Sequence, residues 1–256
     1  MVQNWMMDSL DFGYPWWLRY GHLAVAAGAV AFLLFGYARK WSKWPMMFLC
    51  ILALWSGAAF AVVHSFGFNS IASLPTQAFL KSGAGRVLDL GAGTGRSSIM
   101  VLKARPQATL VASDLFGESF DVHFGKGESP QQRLLANLKA AGVEQRATIE
   151  TADMRKLPFE DASFDAVVSA YAVDHLGRDG SKQALTEAAR VVKPGGDFLL
   201  ILVENDKWGK LAFGPLLAHG GTRGAEWWTA RMKESGFDVL EVGTQPVTLY
   251  ILARRS

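Results

Sequence analysis

The sequence predicts an α/β fold: a doubly wound, mainly parallel, seven-stranded sheet that ends in an antiparallel hairpin and is preceded by a transmembrane helical hairpin. Three observations carry this prediction. Two apolar runs, residues 20–38 and 45–63, contain no Asp, Glu, Lys or Arg. From residue 81 onward short apolar runs alternate with amphipathic stretches, the pattern of successive βα units. The first of these runs, "RVLDL", leads straight into a loop that places Gly91, Gly93 and Gly95 within five positions. At 256 residues the chain is long enough for one sizeable domain plus an appendage.

The apolar runs each have the length that crosses a hydrocarbon core as a helix. Trp16 and Trp17 precede the first, and "RKWSKW" between them supplies Arg39, Lys40, Lys43, Trp41 and Trp44, residues suited to the water–lipid boundary. Residues 1–66 are therefore read as a membrane anchor with helices over about 18–38 and 45–64, residues 67–80 as an interfacial linker broken by Gly67, Asn69 and Pro75, and residues 81–256 as the globular domain. Two alternatives stay open on the residues alone. A secretory signal is opposed by Asp8, Asp11 and the second apolar run. Buried helices of a soluble bundle would suit the small residues of "AVAAGAVA" equally well, and that same stripe offers a face for homo-oligomer formation in a bilayer.

Composition separates the two parts. Residues 76–256 hold 22 of the 26 basic and 21 of the 23 acidic residues, whereas residues 1–75 hold six of the nine tryptophans. The domain is nearly neutral and shows no basic stripe, so the isoelectric point near 9.0 is no argument for nucleic acid. The single cysteine, Cys50, excludes an internal disulfide and a cysteine-based zinc site. His22, His64, His123 and His219 have no ligand spacing, and no metal is expected.

The domain reads in order as strand 86–90, helix 96–104, strand 108–114, helix 129–143 closed by Gly142, strands 147–153 and 164–172, helix 182–192, a "KPGG" turn, strand 197–204, helix 225–235, and a final pair of strands at "DVLEVG" and "TLYILAR". The glycine loop thus lies on a strand-to-helix turn at the carboxyl end of the first strand, where doubly wound sheets bind ligands and where a missing Cβ lets a ligand approach the backbone. Its spacing is G-x-G-x-G followed by Arg96. That differs from the G-x-G-x-x-G of dinucleotide sites, and it lacks the G-K-[ST] ending of a P-loop.

On "VLDLGAGTG", "VASD", "TADMRKLPFEDASFDAVVSA" and "ALTEAARVVKPGGDFLLI", taken in that order over residues 76–256, the sequence resembles the class I S-adenosylmethionine-dependent methyltransferases of the ubiquinone and menaquinone biosynthesis type, with a Rossmann-like sheet. The resemblance implies S-adenosyl-L-methionine as cofactor. It places Asp89 and the loop Gly91, Ala92, Gly93, Thr94 and Gly95 at the methionine moiety, Asp114 at the ribose, Asp153 at the adenine amino group and Met154 beside the ring, with Leu115 and Ser169 also among the cofactor-binding residues. A carboxylate suits the ribose because it accepts from both hydroxyls.

Methyl transfer asks chiefly for positioning and desolvation, with a base only where the acceptor must lose a proton. Tyr171, Asp174 and His175 follow the fourth strand at the ligand edge, and His175 titrates nearest neutrality. The insertion "LFGESFDVHFGKGE" with Phe116, Phe120, His123 and Phe124, and the aromatic stretch 205–228, are read either as substrate walls or as packing. The upstream hairpin points to a lipophilic small-molecule acceptor such as a quinone, lipid or isoprenoid. A small soluble or volatile acceptor, another S-adenosyl chemistry such as aminopropyl transfer, and a non-catalytic S-adenosylmethionine-binding membrane protein are the alternatives. Supply of the cofactor places the domain on the cytoplasmic side of the inner (plasma) membrane, although Arg39, Lys40 and Lys43 in the hairpin loop favour the opposite orientation.

Overall fold

The computed structural model describes residues 10–68, 70–117, 129–204, 206–214, 223–245 and 247–256. Strands β1 (Ala84–Leu90), β2 (Gln107–Asp114), β3 (Ala147–Thr151), β4 (Phe164–Ala170), β5 (Val192–Val203), β6 (Phe237–Gln245) and β7 (Thr248–Arg255) form one sheet in the order β3-β2-β1-β4-β5-β7-β6. β1 to β5 pair in parallel, and β7 runs antiparallel between β5 and β6. The chain reverses its winding between β1 and β4, so the carboxyl ends of these two strands flank the crevice in which such sheets hold ligands.

Alternation of side chains along the strands divides the core in two. Val87, Leu110, Ala166 and Val168 face helices α3 (Arg96–Ala104) and α4 (Pro130–Ala140), meeting Ile99, Leu102, Leu134 and Leu138. Leu88, Leu90 and Val167 face the opposite layer, where α5 (Gly177–Val191) and α7 (Ala225–Glu234) supply Leu185, Ala188, Trp228 and Met232.

Among the boundaries that differ from the sequence expectation, three bear on the site or the sheet. β4 stops at Ala170 rather than 172, because Tyr171 turns to φ +54°. α5 begins at Gly177, five residues ahead of the expected start. The "KPGG" residues belong to β5 as an irregularity: pairing steps from Phe164–Val192 to Ala166–Asp197, and Gly195 takes φ +76°.

Helices α1 (Trp16–Ala38) and α2 (Lys43–Ser65) are 23 residues each, about 35 Å at 1.5 Å per residue. They pack on each other, with Ala29, Gly36, Ser56 and Ala59 buried, while Val63 packs with Phe68 and Ala212. The contact is close at Gly36, where a Cβ would come within 2.9 Å of Met46 Sδ of α2 and 2.8 Å of Trp41 in the connecting loop. The other faces stay outside the protein: Phe32 is 58% exposed, Leu34 68% and Leu54 75%. Two such helices are long and apolar enough to cross a membrane, by length and composition.

The chain on both sides of the hairpin packs on the domain. Ahead of α1, Leu10 and Phe12 are buried in the same core layer as Leu134, and Asn137 of α4 exchanges hydrogen bonds with the backbone of Asp11. Behind α2, Leu74, Phe79 and Leu80 are buried in that layer too. Arg105, just past α3, holds this segment by donating to the carbonyls of Gln77 (2.9 Å), Phe79 (2.8 Å) and Leu80 (3.1 Å). The short helix α6 (Lys207–Phe213) leans on the base of the hairpin through Ala212 and Phe213, and the Ala212 carbonyl lies 2.6 Å from His22 Nε2.

Candidate active site

β1 delivers the chain to Gly91 at the edge of the sheet, and the Ser113 carbonyl of β2 accepts from the N–H groups of Gly91 (2.8 Å) and Ala92 (3.0 Å). This fixes a turn in which Gly91 has φ +75°, and a Cβ there would collide with Ala172 and come within 2.9 Å of Met154 Cε. Gly95 caps α3 at φ +92°, pressed against Leu134 where a side chain has no room. Both positions therefore need glycine on conformational and steric grounds.

Asp114 ends β2 at the lip of this loop. Its Oδ2 accepts from Gly93 N (2.9 Å) and its Oδ1 from Phe116 N (3.0 Å), so the carboxylate is held in one orientation and each oxygen keeps a further lone pair. Asp89 lies beneath the loop, fully buried. Its Oδ2 takes hydrogen bonds from Ser97 (2.7 Å) and Ser98 (2.6 Å) in the first turn of α3, while Oδ1 has no partner among the described residues. Burial pushes its carboxyl up to about 6, against the lowering effect of the two hydroxyls.

These elements open onto a cavity of about 570 Å³. Gly91, Ala92, Gly93, Thr94, Asp114, Leu115, Asp153, Met154, Tyr171 and His175 line it, so most of the residues singled out in the sequence come together. Five depart from expectation. Gly95 caps α3 against Leu134 and does not line the cavity. Asp89 braces the loop from below and does not reach the cavity surface. Ser169 is buried and spends its hydroxyl on the Leu90 carbonyl (2.7 Å), tying β4 to β1. Asp153 lines the cavity, yet its carboxylate is gripped by Arg155 Nε (2.9 Å) and Nη2 (2.6 Å), and these bonds hold it below the usual carboxylate range. Asp174 is turned away from the cavity beside His175, with Oδ1 buried and unpartnered among the described residues, and burial raises its carboxyl.

Tyr171 is strained at φ +54°, with its N–H bonded to the Ile201 carbonyl (2.8 Å) and its hydroxyl 2.9 Å from Thr248 Oγ1. Burial pushes the phenol up to about 12. Phe120, His123, Phe124 and His219, together with residues 205 and 215–222 of the aromatic stretch, lie outside the described residues.

The opposite wall was not foreseen. Tyr14, Ser65, Phe66, Gly67, Ser70 and Pro75 line the same cavity, all from chain that reads as anchor or linker. Arg96 joins the two walls: it follows Gly95 directly, and its Nη2 donates to the carbonyls of Phe66 (2.8 Å) and Gly67 (3.1 Å) at the exit of α2. Only Arg96 carried a sequence signal, as the cation standing where other glycine loops continue.

Residues 87–196 match the family described as "Methyltransferase domain". The demethylmenaquinone methyltransferase of Deinococcus radiodurans is 34% identical over 116 residues, 45% of this chain and 42% of that protein. The ubiquinone/menaquinone biosynthesis C-methyltransferase of Bartonella tribocorum is 37% identical over 121 residues, 47% of this chain and 42% of that protein. The chain therefore matches less than half the length of these relatives. Among solved structures, an O-methyltransferase family protein from Burkholderia thailandensis aligns with a TM-score of 0.58 at 17% identity, covering 80% of this chain and 60% of that one. A methyltransferase from Aquifex aeolicus aligns at 0.52 and 17% identity, covering 69% and 87%. Residues 87–196 thus match a methyltransferase domain, the sheet has the seven-stranded Rossmann-like fold of these structures, and S-adenosylmethionine is the methyl donor of that family and fold.

Proposed function

We propose that this chain is a membrane-anchored methyltransferase acting on a small lipophilic acceptor, a quinol or a related prenylated or lipid-like molecule. The carrying observation is the shared cavity: the glycine loop and Asp114 form one wall, and the residues leaving the second apolar helix, Ser65, Phe66 and Gly67, form the other. An acceptor leaving the bilayer at the base of the hairpin would meet the methyl-donor pocket without crossing water. The relatives from Deinococcus radiodurans and Bartonella tribocorum, named for methylation in menaquinone and ubiquinone biosynthesis, support the quinol class.

The residues present fit S-adenosylmethionine. A Cβ-free cradle at Gly91, the oriented carboxylate of Asp114 with lone pairs open to two ribose hydroxyls, and the apolar Leu115 and Met154 match a nucleoside with an amino-acid arm. When bound, the cofactor supplies an electrophilic methyl on sulfur. Ala92, Gly93 and Thr94 then contour the arm, Met154 packs beside the base, and Asp153 reaches the adenine amino group by sharing its carboxylate with Arg155. His175 takes the proton of the acceptor, and Tyr171 forms part of the floor. Phe66 and its neighbours keep water from the reacting atoms.

In this reading α1 and α2 cross the inner membrane. Their length of about 35 Å exceeds the roughly 30 Å hydrocarbon core, and the apolar faces of Phe32, Leu34 and Leu54 meet lipid. The domain lies on the cytoplasmic side, where the cofactor is made, and Arg39, Lys40 and Lys43 meet phosphates of the far leaflet. The test is transfer of a radiolabelled methyl group from S-adenosylmethionine to a bacterial membrane lipid extract. Label in the organic phase is the expected result. Label confined to water-soluble products, or no transfer, overturns the acceptor class.

A further inference from the structure

Arg96 is the cavity residue that the reading above leaves without a task. Its Nη2 is bound to the Phe66 and Gly67 carbonyls, and its guanidinium lies 4.4 Å over the Phe66 ring. The Tyr14 phenol is hydrogen-bonded to the Arg96 side chain, Nε is buried without an acceptor, and no carboxylate of the described residues lies within ion-pair distance. The other cavity cation, Arg155, is neutralised by Asp153 at 2.6 Å. A guanidinium with a buried unmatched donor is costly unless something anionic joins it. Around it the cavity is built of groups that suit a ring: Phe66, Tyr14 and Tyr171, with the Phe66 and Tyr171 rings 5.8 Å apart.

We propose that Arg96 is a specificity-determining residue that pairs with the ionised oxygen of the acceptor, so that the enzyme takes amphiphiles carrying an acidic ring hydroxyl, a phenol or enol, and leaves their neutral ethers. The inference rests on the lipophilic-acceptor reading and narrows it. The hydroxyl proton passes to the His175 imidazole, and the oxygen anion pairs with Arg96. The electron pair of that oxygen, or of the conjugated ring carbon, then forms the new bond to the methyl carbon. The carbon–sulfur bond breaks with its pair going to sulfur, turning sulfonium into thioether. The anion's charge and the sulfonium's charge cancel, and the one proton released stays on His175. Because Arg96 also holds the carbonyls at the end of α2, the apolar tail of such an acceptor would point back along the hairpin toward lipid.

One anion could come from elsewhere, since the amino-acid arm of the cofactor also ends in a carboxylate, and the experiment separates the two. The full-length protein in nanodiscs is saturated with S-adenosylhomocysteine and titrated with 2-hydroxy-3-prenyl-1,4-naphthoquinone, whose ionised form is coloured, and with its 2-methyl ether, which cannot ionise. Wild type should lower the apparent pKa of the bound probe by about one unit relative to empty nanodiscs. Arg96→Gln should weaken probe binding by about tenfold or more, leave the ether within twofold, and leave S-adenosylhomocysteine within threefold. Arg96→Lys, which keeps the charge but not the planar fork, should recover part of the loss at an unchanged Tm. The wild-type titration stands without any variant: an unshifted probe pKa overturns the proposal. So does an equal loss for probe and ether, and so does a loss confined to S-adenosylhomocysteine, which assigns Arg96 to the cofactor's carboxylate. If wild type binds the ether but does not favour the anion, only the role of Arg96 falls. If it binds S-adenosylhomocysteine and neither naphthoquinone, the quinol reading falls with it.

Discussion

Replacing Asp114 by alanine removes the acceptor that the site offers to a ribose. In the structure each carboxylate oxygen already takes one backbone N–H, from Gly93 at 2.9 Å and from Phe116 at 3.0 Å, so the group arrives oriented and spends little on ordering when a diol binds. Two hydrogen bonds to an anion, less the water they displace, are worth about 2–3 kcal/mol, or roughly 30- to 150-fold in Kd. The same substitution leaves two loop N–H groups without an acceptor and should lower stability by about 1–3 kcal/mol. Titration calorimetry with S-adenosylhomocysteine and with its 2′,3′-dideoxy analogue, on wild type and Asp114→Ala, closes a double-mutant cycle. Wild type should prefer the diol strongly, and the variant should bind both ligands about equally weakly. If the variant still discriminates against the dideoxy ligand, or loses less than threefold for the parent, the ribose contact lies elsewhere and the assignment of this lip of the cavity is wrong.

Three further outcomes follow from the geometry. Asp89 has a folded pKa raised to about 6 from an ordinary 3.8, so the folded state binds the extra proton and stability falls as pH rises from about 4 to 6, by on the order of 3 kcal/mol; in Asp89→Asn this pH dependence should vanish, and a wild-type Tm that does not decline relative to the variant between pH 4 and 7 would refute it. His175→Ala should cut kcat by about 100-fold or more with S-adenosylhomocysteine affinity retained; a change confined to KM would leave His175 with acceptor placement alone. In a Cys50→Ala background, Ser42→Cys in the hairpin loop should react with an impermeant maleimide on intact cells, and protection until lysis would sink the two-span topology.

Most of the sheet was legible because buried parallel strands and amphipathic helices leave separate periodicities. "RSSIMVLKA" falls on α3 residue for residue, and "AEWWTARMKES" misses α7 by one. The glycine loop and Asp114 were legible for a different reason: a tight turn at a strand end permits few residue types. Ser169 failed because a serine facing the β1 backbone and one facing a ligand occupy the same kind of strand end, and only the Leu90 carbonyl at 2.7 Å tells them apart. Asp153 carried no sign that Arg155, two residues on, would fold back onto it. Tyr14, Phe66 and Pro75 were illegible because their role depends on where the hairpin leaves the domain, a long-range contact that no local pattern encodes.

The packing of chain on both sides of the hairpin has a consequence of parity. Phe12 lies ahead of α1 and Phe79 behind α2, and both are buried in one core layer with Leu134 of α4. Two points of a chain that end in the same folded body lie on the same side of any barrier between them, so the intervening helices make an even number of crossings: both traverse, or neither does. Arrangements with one helix inserted and the other lying flat on the opposite leaflet are incompatible with this core. The clasp also sets an order of assembly. The Asp11 backbone waits for Asn137, 126 residues later in the chain, and by then both apolar helices have been synthesised. Both apolar helices therefore exist before the domain can close over its own N-terminal residues, and that closure brings the mouth of the cavity to the point where the helices leave the domain.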